Sequence, residues 1–502
     1  MDLDKTKAYI KHAILCMKIL TEAGSKYGEG GDEAYNAKSN LDREISHIKN
    51  AQRRIAERKQ TSHEIARLCT LFADQARLLT THLNFNERLK WGQDGIEAAR
   101  ILNDRRAETS HLGNLGTVHL DMGNIARALE CYTQAGTIAE EFEMLDLEFS
   151  QWLGISNCHF VLGRYELALY GYRRALNLSR WIDDKSGEAL CRANIANTLQ
   201  IMGEVDEAIK WHEDALHIAQ ELKDVGQEVL HLMNLGNAHL TQDNLPEAER
   251  NLSLALRMSI KLRDYSKQTC LHQSLGILYL KAGEYPQSRV HLANALRIAQ
   301  KNNFIVEKGD VYRVIGSLYE RLDHPWLAIS CYEIAVSIAE DHAFTNNQVV
   351  YLVKLGNVFG RMSLYHEAVR AFRNAEMLLG KSPGDKSQLD LFMGLANAYL
   401  ELDLNLTAER YFHKSLGIIE RFELLEERAE CLLFMGKNFL NQRKYRQAIW
   451  CHQHGEYLAR RLGMYELQCA HNGYWGNVFL KKGEFRKAKR AFNRARRLAR
   501  YS

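Results

Sequence analysis

The sequence is poor in proline, with 4 in 502 residues. Proline removes a backbone donor and clashes with the preceding helical turn, so a chain this short of it is free to be helical throughout. There is no Cys-x-x-Cys pair. The 10 cysteines are scattered, which argues against a zinc site or a disulfide framework and fits a reducing, cytoplasmic compartment. No apolar run reaches the roughly 18 residues that a membrane span needs. The start of the chain (Asp2, Asp4, Lys5, Lys7) lacks the layout of a secretory signal. A net charge of +4 gives the chain as a whole no bias toward nucleic acid or lipid. A phosphate-cradling Gly-x-x-x-x-Gly-Lys-Ser/Thr loop, a Gly-x-Ser-x-Gly elbow, a His-Glu-x-x-His pair and a kinase signature are all missing. The expectation is a protein that is not an enzyme, with no metal and no cofactor.

What is there is a repeat. Stepping 40 residues at a time from Gly116 gives Gly116, Ser156, Ala196, Gly236, Gly276, Gly316, Gly356, Ala396, Gly436 and Gly476, all small. The step from Ala128 meets alanine everywhere except Ser288, and the step from Ala135 meets only alanine, Ser415 and Gly455. Between these columns lie an aromatic one (Tyr132, Tyr172, Tyr332, Phe372, Phe412, Phe492) and an aliphatic one (Ile138, Leu178, Ile218 and onward). Spacings of three and four residues between columns are helical. Small residues let two helix axes approach within about 8–10 Å, and large ones fill the adjoining holes. Each repeat therefore reads as a helical hairpin, with a first helix near 107–122, a turn at Gly123 and a second helix near 125–142. Pro246, Pro286 and Pro325 fall in the first turn of a second helix, where a missing N–H costs nothing; Pro383 falls in a loop between repeats.

The small–small–aromatic–small pattern resembles the tetratricopeptide repeat in a 40-residue form. The stretch HLMNLGNAHLTQDNLPEAERNLSLALRMS from His231 is similar to the repeats of the LGN/Pins scaffold and of kinesin light chain. The resemblance implies an all-α, right-handed superhelical solenoid with ten tandem repeats over 107–502. Residues 67–106 read as an eroded repeat in which Ala76, Gly95 and Ala99 keep the grid and Arg88 replaces the alanine. Residues 1–66 read as a helical leader of two helices, near 3–23 and 33–60. The loop GSKYGEGGDE (Gly24, Gly28, Gly30, Gly31) reads as a connector between them. LDREISHIKNAQRRIAE and the segment from Leu83 to Gly116 also resemble the junction of bacterial STAND/NB-ARC signalling ATPases, where the ATPase passes into its sensor repeats. No ATPase motif accompanies them.

In such a solenoid the first helices line an inner wall. By resemblance, the residue after the Gly116 column faces it: Thr117, Asn157, Asn197, Asn237, Ile277, Ser317, Asn357, Asn397, Lys437 and Asn477. Three residues earlier stand Asn114, Asn194 and Asn234. An amide offers two donors and an acceptor, so a ladder of them can grip the backbone of an extended peptide, as it does in those relatives. The alternative is that these amides cap or bridge helices within the stack. Ile277, Ser317 and Lys437 interrupt the ladder, which points to two segments, 157–237 and 357–397. Four residues further on stand Lys281, Arg321, Arg361, Glu401 and Lys481. Three cations in consecutive repeats suggest an acidic stretch in the partner, against the plainer reading of a solvated face.

The last 22 residues hold ten Lys/Arg against Glu484 alone. Arg490, Arg494 and Arg497 belong to this basic end, which reads either as a polar cap on the last repeat or as a contact for nucleic acid, acidic lipid or acidic protein. His119, His159 and His239 share a column with Tyr279, Tyr319 and Tyr399 and read as packed rings. The leading expectation is a scaffold or sensor that binds a partner protein or peptide. The competitors are a nucleic-acid-associated regulator using the basic end and a regulatory subunit of a bacterial signalling or conflict system.

Overall fold

The computed structural model describes residues 3–27, 31–79, 83–342, 344–379 and 388–500. Pro383, Gly28 and Gly30 lie outside them. Twenty-four α-helices and no strand occur among the described residues. The chain divides into two compact units, Met1–Asp264 and Tyr265–Ser502.

In the first unit the helices Leu3–Tyr27 and Gly31–Ala56 pack together and are followed by His63–Gln75, a 3-10 turn Ala76–Leu79 and Phe85–Ile101. Gly24 is therefore inside a helix and Gly31 starts the next one, so the connector is shorter than the composition of the segment suggests. The leader and the eroded repeat share one core: Leu20, Leu41, Ile48, Ile55, Ile65 and Phe72 are buried, and Phe72 meets Trp91 edge-on at 6.0 Å. Lys59 Nζ reaches Asp94 at 2.7 Å in the same place. A border at 66/67 falls within helix His63–Gln75, whose start is set by Ser62 Oγ accepting from the Ile65 N–H. A border at 106/107 falls within Arg105–Asp121, capped by Asp104. Side-chain caps, worth about 1 kcal/mol each, place these ends more sharply than the column pattern does.

From there the first unit repeats helix pairs: Arg105–Asp121 with Ile125–Glu141, Leu145–Val161 with Tyr165–Trp181, Lys185–Met202 with Val205–Glu221, and Val225–Thr241 with Leu245–Lys261. The second unit holds six more, from Tyr265–Lys281 with Tyr285–Lys301 to Tyr465–Lys481 with Phe485–Leu498. The small columns do the work expected of them. All nine alanines of the Ala128 column are buried, and so is the one residue that is not alanine, Ser288, which donates its hydroxyl to the Gly276 carbonyl at 2.7 Å. The Tyr132 ring lies against both Gly116 and Gly154, where added Cβ atoms would come within 2.9 and 2.4 Å of it.

The turns show a shorter period than the pattern of small residues. A residue with left-handed φ recurs every 20 positions, from Asn103 to Gly483, at each such position that is described. Gly123 (φ 76°) donates to the Leu120 carbonyl and Asn124 to that of His119, closing the helix in a Schellman motif. Glu143 (φ 54°) and Met144 do the same for the next helix.

Candidate partner-binding groove

The column after Gly116 divides according to its neighbours on the second helix. Where that helix carries a tyrosine, the column residue is held by it. Tyr172 donates to Asn157 Oδ1 at 2.6 Å, while Thr117 and Ser317 hydroxyls lie 2.9 and 3.0 Å from the phenol oxygens of Tyr132 and Tyr332. Asn157 thus spends its acceptor inside its own repeat, and its amide N–H groups remain as donors. Asn197, Asn237 and Asn357 are half-buried, and so are Asn194 and Asn234 one turn earlier; Asn477 is exposed. Asn397 is half-buried, and its Oδ1 is shielded from solvent with no hydrogen-bond partner. An unpaired buried acceptor is costly, and an incoming N–H would satisfy it. Lys437 reaches back 2.5 Å to Glu401.

In the second unit the first helices Tyr265–Lys281, Ile305–Arg321 and Thr345–Arg361 together enclose a pocket of about 630 Å³. Lys281, Arg321 and Arg361 all line it, one from each helix, so the three cations spaced 40 apart in sequence converge on one space. Lys354 joins them. It belongs to the column of Asn114, Asn194 and Asn234, and only the fold shows that this position reaches the same pocket. Ile277 and Leu280 supply an apolar wall. Glu320 is the single acid among the described residues lining it: it accepts from Tyr332 Oη and pairs with Arg361. Burial, with Glu320 beside it, pushes the Tyr332 phenol well above its usual range. Four cations and one carboxylate thus line this space among the described residues.

At the basic end, Arg494 binds Glu456 at 2.6 Å, and Glu456 is buried. Lys482 and Lys487 both pair with Glu484. Arg494 therefore ties the last helix to the one before the final pair, whereas Arg490 and Arg497 are exposed. None of the ten cysteines is in a disulfide. Among the described residues no three His, Cys, Asp or Glu side chains are placed to hold a metal ion, and no helix is long and apolar enough to cross a membrane.

Residues 148–221 and 188–261 match the family model of the tetratricopeptide repeat. No sequence among the curated proteins matches the chain. Similar solved structures include the apo form of the quorum sensor NprR from B. thuringiensis, 13% identical over 76% of this chain and 100% of that one, with a TM-score of 0.47. A Rap protein complexed with competence and sporulation factor is 14% identical over 75% of this chain and 98% of that one, at 0.46. A signal transduction ATPase with numerous domains and a tetratricopeptide repeat sensor, from Pyrococcus horikoshii, is 15% identical over 70% of this chain and 55% of that one, also at 0.46. Residues 148–261 thus match tetratricopeptide repeats, and helix pairs of the same 40-residue spacing run through both units.

Proposed function

We propose that this chain is a non-catalytic interaction scaffold or sensor that holds an extended segment of a partner protein along its first helices, and that the part of the segment over Tyr265–Arg361 is anionic. The observation that carries this reading is the pocket in which Lys281, Arg321, Lys354 and Arg361 converge from three successive first helices. Asn357 and Asn397 continue the same unit as grips for the segment's backbone, and Asn397 has an unused acceptor to offer. In the first unit Asn197 and Asn237, with Asn194 and Asn234 beside them, take the corresponding part. Each exposed charge pair contributes at most about 1 kcal/mol, so affinity comes from many modest contacts.

The test is fluorescence anisotropy with the full chain and labelled decapeptides rich in glutamate, glutamine or lysine. The glutamate peptide is expected to bind best, with an affinity that falls as salt screens the charges. Replacing Arg321 and Lys354 together by alanine is expected to weaken it about tenfold. Equal binding of all three peptides, or a glutamate preference that survives the double substitution, defeats the reading.

A further inference from the structure

We infer that the first unit carries a second binding site, which receives the guanidinium group of an arginine side chain from a partner protein. The site is a cavity of about 350 Å³ between the second helices Ile125–Glu141 and Tyr165–Trp181 and the first helix Leu145–Val161. No groove asparagine is among its lining residues. Three other corners of the unit set the comparison. Arg100 donates to Glu108 at 2.7 Å, Arg180 to Glu188 at 2.9 Å and Gln220 to Glu228 at 3.3 Å, each pair eight residues apart across a turn from one helix pair to the next. At the corner between Ile125–Glu141 and Leu145–Val161 the same two positions hold Glu140 and Glu148. An acid stands where the other corners place a donor, and both carboxylates line the cavity.

Two carboxylates that share a space repel unless a cation comes between them. No lysine or arginine is among the described residues lining the cavity. Arg174, outside the lining, stops 3.8 Å from Glu148, too far for a hydrogen bond, and Glu140 has no ion pair among the described residues. His159 adds no charge, because burial, with Arg164 nearby, holds its ring below the usual histidine range. Two lining acceptors also lack partners: Oε1 of Gln151, a residue only 3% exposed, and Nδ1 of His159. A guanidinium brings five donors in one plane, enough to serve the carboxylates and Gln151 together. Trp152 and Tyr170 meet edge-on at 6.1 Å in the same wall, and aromatic faces attract arginine. Trp152 already shows this, with Arg174 over its ring at 5.0 Å. Leu167 and Tyr170, each about half exposed, add apolar surface to the lining. Such surface suits the neighbours of an arginine in a protein interface and gives a free solute nothing.

The experiment uses the full chain and fluorescein-labelled nonapeptides of alanine and glycine with a central arginine, lysine or citrulline, the last keeping the shape of arginine without its charge. The arginine peptide is expected to bind about tenfold more tightly than the citrulline peptide. Glu140→Gln is expected to cut that preference about threefold. Glu140→Arg supplies from within the pair seen at Arg100 and Glu108, and is expected to erase the preference and to raise the melting temperature by a few degrees. Equal binding of the arginine and citrulline peptides, or no binding by either, overturns the site, as does a preference that survives Glu140→Arg. A lysine peptide that binds as well as the arginine peptide overturns the guanidinium assignment. Free arginine is added as a competitor; if it competes as well as the arginine peptide at equal concentration, the partner-borne source is wrong. Binding of the glutamate-rich decapeptide is expected to be the same in both variants as in wild type, and a change in it would overturn the separation of this site from the groove.

Discussion

Arg180 Nε donates to Glu188 Oε1 at 2.9 Å across the corner between helices Tyr165–Trp181 and Lys185–Met202. Lys185 and Arg192 approach the same carboxylate at 3.2 and 2.9 Å. Two repeats earlier, Arg100 and Glu108 make the same contact at the same eight-residue spacing, at 2.7 Å. Burial by itself raises the Glu188 carboxyl, but the three cations outweigh it and hold the group at about 2.

Glu188→Ala is expected to destabilise the first unit by about 2 kcal/mol. This is below the roughly 3–5 kcal/mol of a fully buried pair, because Arg180 and Lys185 stay about half exposed and keep their water. The folded carboxyl titrates below its unfolded value. Its contribution is therefore complete above the unfolded pKa of about 4.3 and is lost as pH falls toward about 2. Urea midpoints of wild type and variant should differ clearly at pH 7 and draw together near pH 2.5. A gap that does not narrow counts against the ion cluster as its source.

A second acid-sensitive point lies in the other unit. His452 and His471 are fully buried, their Nδ1 atoms 3.4 Å apart, and Tyr474 stacks on His452. Burial, and for His452 the neighbouring His471, lower the two rings to about 3 and about 4. Both rings are neutral when folded and take up protons near 6.5 when unfolded. Stability is thus full above about 6.5 and falls as pH drops toward the folded values, by about 1.4 kcal/mol per pH unit for each ring. His452→Phe, the residue type that the aromatic column carries at Phe412, is expected to flatten the loss of melting temperature between pH 7.5 and pH 5. A variant with the wild-type slope would place the acid sensitivity elsewhere.

The glycines divide into those that packing requires and those it does not. A Cβ on Gly154 would come within 2.4 Å of the Tyr132 ring, which is buried and hydrogen-bonded to Thr117. Nothing stands within 4 Å of the same atom on Gly417, in helix Asn405–Arg421. Gly154→Ala is expected to cost about 1–2 kcal/mol, overpacking outweighing the gain in helix propensity. Gly417→Ala is expected to gain up to about 1 kcal/mol. Thermal melts moving in opposite directions check both, and a stabilised Gly154→Ala would show that the ring has room to move.

These packing columns are why the fold was legible from residue types alone. Ala128 and its successors need to be small for a reason that acts locally, and the ring of Tyr132 needs Gly116 beside it, so the 40-residue period is written on the surface of the sequence. The 20-residue period of left-handed turns was only half visible. Gly123 and Gly163 announce it within repeats, but Glu143, Lys223 and Arg263 adopt the same φ with no side-chain signature, the Schellman hydrogen bonds being made by backbone alone. At the candidate site, Lys281, Arg321 and Arg361 stood out by their spacing. Lys354 and Glu320 did not, because their part depends on which side chains meet across neighbouring helices. Asn157 looked identical to Asn197 until the fold brought Tyr172 to its amide.

Glu320 offers the most direct handle on the groove. Its carboxylate accepts from Tyr332 Oη and holds Arg361, so the protein's own acid partly neutralises the pocket it lines. Glutamine at this position keeps an acceptor for the tyrosine and removes the charge that occupies the arginine. Glu320→Gln is therefore expected to tighten binding of an anionic peptide about threefold at low ionic strength, in line with the modest worth of an exposed pair, and the gain should shrink as salt screens the pocket. Arg361→Ala is expected to act in the opposite direction. Anisotropy titrations of both variants with the glutamate-rich decapeptide, at two salt concentrations, measure the effect. A Glu320→Gln protein that binds more weakly than wild type would mean that Glu320 supports the pocket's shape and does not compete with its ligand.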